Sequence, residues 1–374
     1  MSTLNPGPVR PSLAIGLVGV WLAACLPSSD SSIDATTPLS RLEQVFGPDF
    51  FDLTRRTLHL TLEAQRTFEL PEVFGRDRYR FLGVTDLRRI DGDHREAVVD
   101  VSIDRWPLSV GVSVGRVLGE WKVTGFEPLE HTRWRLRFLD QEGLPRAGTA
   151  RPLQVGLDGR DAAGRPSAVI VLLADGETLA VDGRQVENSR DAVVERLREA
   201  IALRQRLAEA VHAQARAQAG LGLRADEVAG RLPVLLEWAR AAGLNEAVLL
   251  VRAPDGSPAY LPLPRIEEQP PGRSAPPTIT CSQELDVLVL EIEGQRATVP
   301  ISANGPIDAR SLEQALAGLR RTHGGIVGIR LPLGLYSSHG HTAALLDALR
   351  AAAPELPVLP VLPSSDMSDE PVAP

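Results

Sequence analysis

The stretch Ala168-Val169-Ile170-Val171-Leu172-Leu173-Ala174-Asp175-Gly176 decides how everything after it is read. An apolar run of this length stopped by Asp-Gly predicts a strand entering a tight turn. Leu179-Ala180-Val181 then resumes and stops again at Asp182-Gly183, which makes a second strand. After Asn188-Ser189, either of which suits an N-cap, Val194, Leu197, Ile201, Ala208 and Val211 recur at helical spacing. Arg196, Arg198, Glu199, Arg204 and Glu209 fill the polar face. Gly220 reads as the stop of that helix, followed by a short extended stretch, Leu221-Gly222-Leu223. Pro233 to Arg240 forms a second amphipathic helix, closed by Gly243, and Ala247 to Val251 reads as a buried strand. The module Ser167 to Arg252 therefore runs β-β-α-β-α-β.

The same succession returns between Leu285 and Leu362: strands Val287 to Ile292 and Ala297 to Ile301, helix Ser311 to Arg320, strand Ile326 to Leu331, helix His341 to Ala352, strand Val358 to Leu362. Leu223-Arg224-Ala225-Asp226, the helix Leu235 to Ala242 and Gly243-Leu244-Asn245-Glu246-Ala247-Val248 resemble the periplasmic domain of the ExbD/TolR biopolymer-transport family. So does Asp175-Gly176 followed by a strand and a helix. The resemblance covers roughly the second half of the chain and rests on the succession of elements.

The fold class expected is α+β: an N-terminal antiparallel meander followed by two tandem β-β-α-β-α-β modules. Residues 38–155 form the N-terminal unit, 160–253 and 281–363 the modules, and 254–280 a proline-rich linker, extended and semi-rigid. The acidic, proline-ended tail, 364–374, is expected to be disordered.

In the N-terminal unit Pro38 to Val45 suits a short helix, and strands begin near Tyr79. Ala97 to Asp104 and Leu108 to Gly115 alternate apolar and polar residues, and Trp121 to Phe126 and Thr132 to Phe138 read as further strands. A helical start before such a meander, with Glu120-Trp121-Lys122-Val123-Thr124-Gly125-Phe126 near its end, resembles the NTF2-like α+β cone. Arg133, Arg135 and Arg137 would then share one strand face, read as a solvated face paired with Asp100 or Asp104 in preference to an anion-binding strip.

The leader decides location. Residues 1–24 hold one cation, Arg10, then an apolar run from Leu13 to Ala24, in the layout of a secretory signal. Leu22-Ala23-Ala24-Cys25 resembles the lipobox of bacterial lipoproteins, which implies acylation of Cys25 with palmitate-type chains and a lipidated tether over 25–37. Several acyl chains anchor stably, since each buried methylene contributes about 0.8 kcal/mol. The mature protein is expected in the cell envelope, facing the periplasm. Leu26 rather than an aspartate after Cys25 favours the outer membrane. The transmembrane aspartate on which proton coupling depends in the ExbD/TolR family has no counterpart, since no acid lies between Leu13 and Cys25.

A formal net charge of -8 argues against nucleic acid as a partner. Two cysteines, Cys25 and Cys281, are too few for a disulfide scaffold, and Cys281 is expected to be buried. Gly111-Val112-Ser113-Val114-Gly115 matches a nucleophile elbow but sits inside an alternating strand. Gly220-Leu221-Gly222-Leu223-Arg224-Ala225 matches a dinucleotide fingerprint without the strand-to-helix context it requires. His339-Gly340-His341, with His323 far off, has no carboxylate or cysteine at ligand spacing and reads as a loop before a helix.

No catalytic residue, cofactor site or metal site is assigned. The function expected is that of a non-catalytic envelope lipoprotein with an accessory or binding role in biopolymer transport or envelope organisation. Its partners would be an ExbB/ExbD- or TolQ/TolR-like complex, an outer-membrane protein or peptidoglycan. A small-ligand carrier, or an envelope enzyme with a site in the N-terminal unit, is the alternative.

Overall fold

The computed structural model describes residues 37–161, 164–210, 212, 217–263, 277–284, 287–301, 307–332 and 338–361. The leader, Cys25 and the acidic tail lie outside them.

The N-terminal unit is built on aromatic packing. All eight phenylalanines fall between Phe46 and Phe138. Phe46, Phe50, Phe68, Phe74 and Tyr79 interlock with ring centroids 4.1 to 6.2 Å apart. Helix α1 (Pro38–Phe46) starts where a capping box predicts: the Thr37 hydroxyl accepts from the Ser40 amide, and Pro38 takes a position whose missing N–H is harmless. Short helices α2 (Leu53–Thr57), α3 (Leu62–Thr67) and α4 (Leu70–Phe74) follow. Strands β1 (Tyr79–Arg89), β2 (His94–Ile103), β3 (Trp106–Val117) and β4 (Glu120–Phe126) pair antiparallel in chain order, which is the expected meander. Ser113 lies in β3, as the rejection of a nucleophile elbow requires.

The stretch read as a last strand is instead helix α5 (Leu129–Leu136) running into a 3-10 turn, Arg137–Leu139. Its alternation of arginine and apolar residues fits either period. Trp134 and Phe138, four apart, meet edge to face at 5.2 Å in the helical register.

Strand β5 (Arg151–Pro152) leads into the first module: β6 (Val169–Asp175), β7 (Thr178–Val181), β8 (Arg184–Val186), α6 (Arg190–Ala210), β9 (Gln218–Leu223), α7 (Arg231–Ala241), β10 (Ala247–Arg252) and β11 (Pro258–Leu263). The sheet order is β5-β11-β10-β9-β6-β7-β8, with β6, β9 and β10 parallel. Both faces of β6 are covered. Ile170, Leu172 and Ala174 belong to the core shared with α6 and α7, whereas Val169, Val171 and Leu173 belong to the core shared with the N-terminal unit. That is why the run carries no alternation.

Gly220 is not a helix stop. It sits with Gly222 inside β9, where a Cβ would stand 2.5 Å from Val169 Cγ1 and 2.6 Å from Leu173 Cδ2 respectively. The glycines answer close approach of neighbouring side chains within the sheet.

The second module runs β12 (Thr278–Glu284), β13 (Val287–Ile292), β14 (Gln295–Pro300), α8 (Ala309–Thr322), β15 (Gly328–Pro332), α9 (His339–Ala352) and β16 (Val358–Val361), in sheet order β14-β13-β12-β15-β16. Set beside β8-β7-β6-β9-β10, the order and the sense of each pairing agree: antiparallel hairpins on one side, parallel strands on the other. The repeat is thus one strand richer than the sequence suggests. β8 and β12 escape periodicity, so Val287 to Ile292 corresponds to β7 and not to β6. The expected linker is likewise shorter, because β11 and the start of β12 fall within 254–280.

The two modules share one core. The second module is latched to the segment entering β5, where Asp347 of α9 accepts from the Gly148 and Thr149 amides, each at 2.7 Å, and from the Thr149 hydroxyl at 2.6 Å.

Candidate functional site

An open cavity of about 820 Å³ lies between the N-terminal sheet and the first module. Two turns wall it. One is the β2–β3 hairpin, Asp104-Arg105, and the other the β10–β11 turn, Pro254 to Gly256. They are clamped by Arg105 to Asp255 at 2.7 Å and by Trp106 Nε1, which donates to the Gly256 carbonyl at 3.2 Å. Arginines outnumber aspartates five to three along the walls: Arg78, Arg80, Arg105, Arg146 and Arg252 against Asp77, Asp104 and Asp255.

Arg252 is the buried member, 8% exposed. Being the last residue of β10 places it at the strand end facing the cavity. Its Nη1 donates to the carbonyls of Leu139 (2.9 Å) and Asp140 (2.6 Å), while Nε has no hydrogen-bond partner. Burial first, and then the charge of Arg146, push its pKa down. Arg78 is paired with Asp104 at 2.6 Å. Arg80 and Arg146 are exposed and make no ion pair among the described residues.

A second cluster is mostly buried and borders a groove beside α6. Asp100 (4% exposed) and Asp158 lie in the same buried corner as the ion pair of Arg204 with Asp182, 2.8 Å. Asp100 accepts from Ser109 at 2.6 Å, and Asp182 accepts from the Val171 amide at 2.9 Å. Burial raises both carboxyls above the usual range, with the charge of Asp158 adding to each. Such a group can hold a proton, but Asp182 is bonded to Arg204, whose guanidinium reaches the carbonyls of Ser167 (2.5 Å) and Gly159 (3.5 Å).

The residues singled out in the sequence scatter. Arg133, Arg135 and Arg137 form no strip. They reach Glu69, Glu127 and Asp175 respectively, not Asp100 or Asp104. His339 and His341 open α9 instead of preceding it. His339 is fully buried, and neither ring nitrogen has a hydrogen-bond partner among the described residues. His323 pairs with Glu293 at 3.2 Å, away from α9's first turn. No group of three metal-ligating side chains occurs among the described residues. Cys281 is buried in β12, and burial pushes its thiol up to about 12.

The Leu223-Arg224-Ala225-Asp226 stretch proves to be a junction. Arg224 binds Asp226 at 3.0 Å, Ala225 N donates to Gly143, and the Ala225 carbonyl accepts from Gly340 at the start of α9. Arg146 and Arg252 carry no sequence signal of their own, because only the fold brings them together. Comparison of the chain with known protein families, with curated proteins and with solved structures finds no match.

Proposed function

We propose that the chain is a non-catalytic lipoprotein of the cell envelope, held at a membrane by acyl chains on Cys25. Its paired modules bind a partner: an ExbB/ExbD- or TolQ/TolR-like assembly, an outer-membrane protein or peptidoglycan. The observation that carries this reading is the repeat. Five strands in each module follow the same order and the modules share one core, so a single topology is presented twice. Repetition of this kind multiplies effective concentration at a partner without a new contact.

Each sheet also ends in an outer strand, β8 and β14. β14 exposes Gln295, Arg296, Thr298 and Pro300, and an outer strand offers backbone groups to an incoming chain. No helix among the described residues is long and apolar enough to cross a membrane.

Two measurements test the reading. Cys25→Ser should move the protein out of the membrane fraction and abolish acyl labelling; an unchanged distribution without label would remove the anchor. Photo-crosslinking from position 296, exposed on β14, should in cells capture an envelope protein or peptidoglycan. Loss of that adduct when β14 is capped by Thr298→Pro is the expected control.

A further inference from the structure

Four two-residue hairpin turns place both central residues in the left-handed region: Asp104-Arg105, Leu118-Gly119, Asp182-Gly183 and Glu293-Gly294. Three put glycine second, where the positive φ is free of steric cost. The fourth puts Arg105 there, at φ 71°. An arginine held in a glycine's conformation is strain at one defined point. That turn forms a wall of the arginine-lined cavity and not of a hairpin elsewhere.

Three further observations converge on the same cavity. The chain is acidic overall, with a formal charge of -8, yet arginines predominate here. Arg80 and Arg146 have no carboxylate partner among the described residues, and Arg252 keeps a buried Nε without an acceptor. Crowded guanidinium groups repel one another, and a concave wall concentrates their field. An anion in the cleft relieves that repulsion. Guanidinium forks match phosphate oxygens two at a time. At about 820 Å³ the cavity has the size of a small-molecule site and exceeds what one phosphate fills.

We propose that the cleft between the N-terminal sheet and the first module binds a ligand carrying at least two neighbouring phosphate groups, gripped by Arg80, Arg146 and Arg252. This site is independent of the anchor and of the partner-binding edges, and either can fail without the other.

The test is calorimetric titration of the full-length chain in neutral detergent with inorganic pyrophosphate. Saturable binding that weakens as salt rises is expected. Arg80→Gln and Arg146→Gln, both at exposed positions, should each weaken it about tenfold, with an unchanged far-ultraviolet spectrum. The groove near α6, lined by Arg184 and Arg206 with the same balance of arginines and acids, supplies the control. Arg184→Gln and Arg206→Gln should leave pyrophosphate binding as it was. A short isoprenyl diphosphate displacing pyrophosphate at lower concentration than a nucleoside diphosphate does would assign a lipid-linked diphosphate as the source, and the reverse order a soluble one; both outcomes support the cleft. Binding that is absent, or equally weakened by the groove variants, overturns the proposal.

Discussion

His339 shows what burial does to one side chain. With both ring nitrogens unpartnered among the described residues, the imidazole is held neutral, and burial alone pushes its pKa from 6.5 down to about 3. Between those values the unfolded chain binds a proton that the folded chain refuses, so stability present above pH 6.5 is lost as the pH falls toward 3. The slope reaches about 1.4 kcal/mol per pH unit. Urea melts at pH 7 and pH 5 should therefore differ more for the parent than for His339→Leu. Equal differences in the two proteins would mean that His339 does not titrate in this way. At pH 7 the substitution should cost little, because it removes a buried polar group that has nothing to bond.

Elements explain which parts of the fold were legible. Strands β6, β7, β10 and β13 announce themselves by apolar runs and Asp-Gly or Glu-Gly stops, and α6 to α9 by helical spacing. What stayed hidden was set by contacts distant in sequence. β8 is only three residues, Arg184–Val186, and β12 begins in a polar, proline-flanked stretch. α5 looked like a strand because its arginines alternate, although each meets a different carboxylate. Gly222 illustrates the cost of misreading. Gly222→Ala would press a methyl to 2.6 Å from Leu173 Cδ2, and overpacking of that order costs about 1 to 3 kcal/mol, readable as a lower urea midpoint. Arg105→Gly should do the reverse. Relieving the left-handed strain should stabilise the hairpin by about 1 kcal/mol, less whatever the exposed pair with Asp255 contributes. A melting temperature that falls would show that the clamp outweighs the strain. The candidate site was illegible for the same reason as β8: Arg80, Arg105, Arg146 and Arg252 are far apart in the chain and ordinary in composition.

At the scale of the molecule, the sheet of the first module lies in the middle, covered by the N-terminal unit on one face and by helices on the other. The second module adds to the helix side and is latched by Asp347. Asp347→Ala strips one acceptor from three donors, two of them backbone amides. It should separate the melting of residues 277–361 from the rest, seen as faster hydrogen exchange there at unchanged protection of β6 and β9. Uniform loss of protection would mean that the modules unfold as one unit whatever the latch. The doubly covered sheet also sets an order of events in synthesis. A strand with two greasy faces is hazardous while either is bare, and chains emerge and fold from the N-terminus. Here the cover for one face is made before β6 appears, and α6 and α7 follow directly to close the other. A permuted chain that carries residues 38–155 after β16 would reach the same contacts late, with β6 and β9 waiting uncovered. It should aggregate during expression, while the parent, carrying every one of those contacts in its native order, does not.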